Sequence, residues 1–168
     1  QFDEREKLTG EITRLEERNV SIQKEFDNII FKLYTEYELD RAQAEAIAQG
    51  VTLTRNLVNR PGNWVNPVVM AEEARKVAEA YNLEIEVLDE KAMTAKGMNA
   101  ILAVGQGSKN PPRMITLKYN GAGDAPYAAF VGKGITFDSG GISIKSGENM
   151  GEMKDDMSGA GAVLGAMQ

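Results

Sequence analysis

After Asn82 the apolar residues stop recurring at the ~3.6-residue period of a helix and begin to alternate at ~2, the period of a strand. Upstream of that change the pattern is helical throughout. Leu8, Ile12, Leu15, Ile22, Phe26, Ile29 and Leu33 recur in alternating steps of three and four residues, with Asn19 in the one vacant seam position. Residues 3–38 therefore predict a long amphipathic helix, with Gly10 weakening its first turns. Packing on its own domain, or in a helical hairpin, is weighed ahead of a coiled coil, in which a seam Asn commonly sets register and partner number. An alanine-rich helix follows over 40–59, with Gly50 as its weak point, and the turn Arg60-Pro61-Gly62-Asn63-Trp64 ends it. Asn66-Pro67 opens a third helix, with Pro67 at its first position and Met70, Ala74, Val77 and Tyr81 as buried candidates.

Beyond the change of period, Leu83, Ile85 and Val87 predict a strand, and 90–95 a short helix ended near Gly97. Further strands are expected over 100–104, 113–119 and the apolar run 127–131, and a small-residue helix closes the chain. Strands interleaved with helices imply an α/β class: a layered α/β/α sandwich around a mixed sheet, preceded by the long amphipathic helix. Residues 1–39 read as a helical leader and 40–168 as the region that carries chemistry. The chain opens on Gln1 rather than Met and closes inside a helical pattern, so both ends read as cut.

Composition narrows the function. A net charge of −6 disfavours nucleic acid and anionic membrane as partners. No apolar run approaches the ~20 residues of a membrane span, and no secretory signal opens the chain. The chain has no cysteine, which fits a reducing cytoplasm, and no histidine. Serine–histidine triads, cysteine nucleophiles and histidine or thiolate zinc sites are thereby excluded. A metal would have to be held by carboxylates, backbone oxygens, water or a neutral lysine amine.

The stretch from Val131 to Met157, VGKGITFDSGGISIKSGENMGEMKDDM, concentrates the chemistry. A phosphate cradle fails on register, because Lys133 is followed by Gly134 and the required glycine spacing is absent. A metal site fits better. Asp138 ends an apolar stretch and precedes Ser139-Gly140-Gly141, while Asp156 enters the final helix and can return to the same mouth. A lysine ligates only if neighbouring cations and burial strip its proton. A second, charged lysine would polarise a carbonyl or stabilise an oxyanion. The plainer reading is that each such Asp or Lys is a solvated turn residue, with Met150, Met153 and Met157 in a core.

The segments GKGITFDSGGISIK and NMGEMKDDMSGAGAVLGAM, with RNLVNRPGNWVNP upstream, resemble the leucyl aminopeptidase (cytosol aminopeptidase) family of two-metal exopeptidases over about residues 40–168. The resemblance implies that Lys133, Asp138 and Asp156 bind metal, with Asp138 bridging. It assigns Lys145 to the substrate carbonyl and Met153 to the pocket for the first side chain of the peptide. It also implies two divalent ions, manganese or zinc ahead of magnesium or cobalt, with bicarbonate assisting proton transfer. The expected protein is a cytoplasmic hydrolase acting on peptide substrates, assembled as a hexamer. The family's later Asn-Thr-Asp-Ala-Glu-Gly-Arg stretch would follow Gln168, so three of five ligand side chains are expected here and little turnover from the chain alone. The alternative is an inactive fragment serving as an oligomerising or interaction module through its N-terminal helix.

Overall fold

A computed structural model describes the backbone of residues 2–37 and 39–168, and the side chains of 13, 14, 16–37 and 39–168. The seam residues Leu8, Ile12 and Leu15 lie outside the described side chains. The chain divides into two compact units, Gln1–Gln49 and Gly50–Gln168.

The first unit is built on α1, Phe2–Glu36. Its described seam residues Ile22, Phe26, Ile29 and Leu33 are half-buried, whereas Asn19 and the flanking charged residues are exposed. Helix α2, Arg41–Val58, begins in this unit with a reciprocal cap. Gln43 N donates to Asp40 Oδ1 at 2.9 Å and Asp40 N donates to Gln43 Oε1 at 3.2 Å. Each side chain thereby satisfies a backbone donor that the first turn leaves without an intrahelical partner.

In the second unit, α3 (Pro67–Tyr81) starts where the sequence places it. Asn66 Oδ1 accepts from Val68 N at 3.0 Å and Val69 N at 3.2 Å, and Pro67 loses no bond at the first helical position. Asn82, in the left-handed region at φ 52°, ends the helix and turns the chain into β1, Glu84–Leu88. Strand β1 pairs antiparallel with β2 (Met114–Lys118), setting Ile85 opposite Leu117 and Val87 opposite Ile115. Helix α3 packs on both strands. Leu57, Val65, Met70, Ala74, Val77, Met157 and Leu164 form the core, with Ile85, Ile115 and Leu117 closing it from the sheet side. Burying each of the larger side chains contributes about 1.5–3 kcal/mol.

The α/β class holds, and strands β1 and β2 and the short helix α4 (Glu90–Ala95) fall where expected. Two expected strands do not form. Residues 100–104 lie in α5, Asn99–Gly105. A five-residue apolar run has no decisive period, and Ala and Leu favour helix where no strand edge lies alongside. Residues 127–131 are irregular, with Tyr127, Phe130 and Val131 exposed. A strand exists only with a partner, and among the described residues the sheet is the antiparallel β1–β2 pair, not the mixed sheet expected.

Candidate metal centre

Met157 is fully buried, and this anchors the site. It sits between a 3-10 segment, Met150–Asp155, and helix α6, Ser158–Ala166. Its burial in the core fixes the neighbouring Asp156 at the surface, where the carboxylate is 21% exposed. The loop from 132 to 149 is then drawn to this anchor by backbone bonds. Ala160 N donates to Lys133 O at 2.8 Å, and Asp138 N donates to Met153 O at 3.4 Å. Gly132 allows the first approach, because a Cβ there would overlap the backbone of Gly159 and Ala160.

Inside the loop the chain doubles back. Lys145 N donates to Ser139 O at 2.9 Å, and Gly140 N donates to Asp138 Oδ1 at 2.9 Å. Gly140 has φ +92°, and a Cβ on it would strike Ser143 O and come within 2.9 Å of Lys145 N. Only glycine suits that turn, and the turn brings Lys145 back over Asp138.

Four charged side chains result, in two pairs. Lys133 Nζ donates to both oxygens of Asp156, at 2.5 and 2.6 Å. Lys145 Nζ donates to Asp138 Oδ2 at 2.8 Å and contacts Met153 Sδ at 3.1 Å. Asp138 is held below the ordinary carboxylate range, first by the Lys145 hydrogen bond and next by the Gly140 N–H. Desolvation opposes these two hydrogen bonds, and the charges of Lys145 and then Lys133 add smaller influences in the lowering direction. The influence of Lys133 on Asp138 is the weakest of these.

All five residues singled out from the sequence thus take part in this arrangement. Among the described residues no group of three or more Asp, Glu, His or Cys side chains converges, so an all-carboxylate cage is absent. The donor set on offer is two carboxylates and an amine. Lys154 was missed by sequence reading. Its Nζ donates to Asn59 O at 3.2 Å and ties the 3-10 segment to the residue just past α2. A lysine separated by 95 positions from its acceptor leaves no local signal of such a tie.

Residues 52–168 match the Cytosol aminopeptidase family, catalytic domain. The chain belongs to the cytosol aminopeptidase family. A probable cytosol aminopeptidase from Geobacter sp. (strain M21) is 50% identical over 137 residues, which are 79% of this chain and 28% of that protein. Among solved structures, the cytosol aminopeptidase from Coxiella burnetii matches with a TM-score of 0.70 at 35% identity, over 74% of this chain and 27% of that one. The bottromycin maturation enzyme BotP in complex with Mn matches with a TM-score of 0.65 at 37% identity, over 76% and 29% respectively. The chain therefore spans a little over a quarter of the cytosol aminopeptidase relatives it resembles.

Proposed function

We propose that this chain forms part of the catalytic domain of a metal-dependent aminopeptidase, which removes the first residue of a peptide. The carrying observation is the pairing of Lys133 with Asp156 and of Lys145 with Asp138 within the family match. Lys133, Asp138 and Asp156 would supply three of the side chains that hold two divalent cations. The donors fit: Asp138 is biased toward the ionised form a cation requires. Lys133 would serve as a nitrogen ligand, a role that requires the neutral amine. A set of carboxylates and an amine selects weakly among metals, and manganese has the support of the Mn complex of BotP, ahead of zinc, magnesium or cobalt.

When bound, such cations supply a nucleophilic water at neutral pH and positive charge that polarises a carbonyl. Lys145, whose Nζ donates to Asp138 Oδ2, would donate to the substrate carbonyl oxygen as it turns negative. Met153, beside Lys145 Nζ, would line the pocket for the first side chain and exclude water from that flank. Bicarbonate as a proton carrier, a hexameric assembly, a cytoplasmic location and the division into a leader (1–39) and catalytic region (40–168) extend the same reading.

The test uses the full-length protein, with cation binding followed by calorimetry and hydrolysis by release of an N-terminal leucine. Asp138→Ala is expected to abolish binding of the second cation. Its loss of turnover should exceed the ~10–100-fold typical of a residue that merely supports a ligand. If Asp138→Ala bound two cations with unchanged affinity, the bridging role would be wrong.

A further inference from the structure

We propose that Asn120-Gly121 is a site of self-modification, at which the Asn120 side chain loses ammonia to water and becomes aspartate or isoaspartate; this inference is independent of the catalytic reading. Of the eleven asparagines in the chain, Asn120 alone precedes glycine. The reaction needs the main-chain nitrogen of the next residue to reach the amide carbon. A Cβ on that next residue both screens the nitrogen and narrows the range of the backbone, and glycine has none. Asn63, Asn82 and Asn149 also lie in turns, but they precede Trp64, Leu83 and Met150. Asn110 precedes Pro111, which has no N–H to give up.

The fold leaves this dipeptide open. The ladder between β1 and β2 ends at the Glu84–Lys118 pair, and Asn120 lies beyond that last rung. It is outside both helix and strand, where fixed ψ values would hold its amide carbon away from the next nitrogen. Asn120 and Gly121 are both exposed, and among the described residues no hydrogen bond holds the Gly121 N–H. In the reaction the Gly121 nitrogen gives its proton to solvent and attacks Asn120 Cγ. An N–Cγ bond forms as the Cγ–Nδ2 bond breaks, and Nδ2 takes up a proton and leaves as ammonia. Water then opens the cyclic imide. Attack at Cγ gives aspartate, whereas attack at the Asn120 carbonyl carbon gives isoaspartate, whose main chain runs through Cγ. Water is the only co-reactant, and no oxidant or reductant enters. Either product adds one negative charge to the −6 of the chain.

The test incubates the full chain folded in buffer and, in parallel, unfolded in urea. Acidic forms are separated by anion exchange and mapped by peptide mass spectrometry, with electron-transfer fragmentation to tell aspartate from isoaspartate. The folded chain should convert at Asn120, at a rate within about tenfold of the unfolded chain, because an exposed turn needs little free energy to open. Gly121→Val should slow conversion by about tenfold or more, since a β-branched side chain stiffens the backbone at the attacking nitrogen. The tip of the Tyr119 ring lies where the new Cβ would go, but that side chain is exposed and can swing aside. Asn120→Gln, which would have to close a larger ring, should give no acidic form over the same period. The proposal is overturned if only the unfolded chain converts, if neither does, if the acidic form maps to another residue, or if Gly121→Val converts as fast as the parent.

Discussion

Asp138 accepts a hydrogen bond from Lys145 Nζ at 2.8 Å and another from Gly140 N at 2.9 Å, and both favour its ionised form. Because its pKa lies below the unfolded value, its small contribution to stability is complete above that unfolded value and disappears as pH falls through the depressed one. Lys145→Met removes the larger of the two influences. The Asp138 carboxyl should then titrate closer to the ordinary range, as followed by carboxyl-carbon NMR against pH. An unmoved titration would mean that the pair seen here does not persist in solution. Residue identity was legible in the sequence: the two lysines, the two aspartates and Met153 all take part in the cluster. The pairing was not. Lys133 reaches Asp156 across 23 positions and Lys145 reaches Asp138 across 7, and only the turn at Gly140 and the anchoring of Met157 decide which lysine meets which acid.

At the scale of elements, the sequence was most legible where a cap or a sustained period set the structure. Asn66-Pro67 specified the start of α3 because each has a distinct job there, one accepting from orphan N–H groups and the other needing no donor. Asn66→Ala should accordingly cost about 1 kcal/mol in urea unfolding, and Asn66→Asp much less. Short apolar runs were less legible. The stretch 100–104 carries no turn chemistry to arbitrate, and the run 127–131 has apolar residues without a strand to meet them. Gly50 shows a third case. Read along the chain it is a flaw in α2, but a Cβ at Gly50 would meet Gly165 O, and one at Gly165 would meet Gly50 O and Thr54 Oγ1. The flaw is a close contact between α2 and α6, closed by Thr54 Oγ1, which lies 2.9 Å from Gly50 O and 3.1 Å from Gly161 O. Gly165→Val should cost about 1–3 kcal/mol by forcing these helices apart, measured by the same unfolding curves. Wild-type stability in that variant would show that the approach has slack.

At the scale of the whole molecule, the cluster and the core are coupled, because Asp156 is placed by Met157 and Lys133 is placed by its backbone bond to Ala160. A cation held by these side chains would bind only the folded second unit, so binding and folding must share one free energy. Manganese at about a hundredfold over its dissociation constant should stabilise the chain by about 2.7 kcal/mol. For a chain of this size that raises the thermal midpoint by roughly 5–10 °C, and a chelator should reverse it. Asp156→Asn separates this effect from loose counterion binding to a chain of net charge −6. The substitution deletes one carboxylate of the cluster and leaves the rest of the acidic surface in place, so a specific site loses its shift while a diffuse one keeps it. An equal rise in midpoint for the variant and the parent chain would put the manganese elsewhere. The Lys133–Asp156 and Lys145–Asp138 pairs would then be surface ion pairs, and the metal reading of this family segment would fail for this chain.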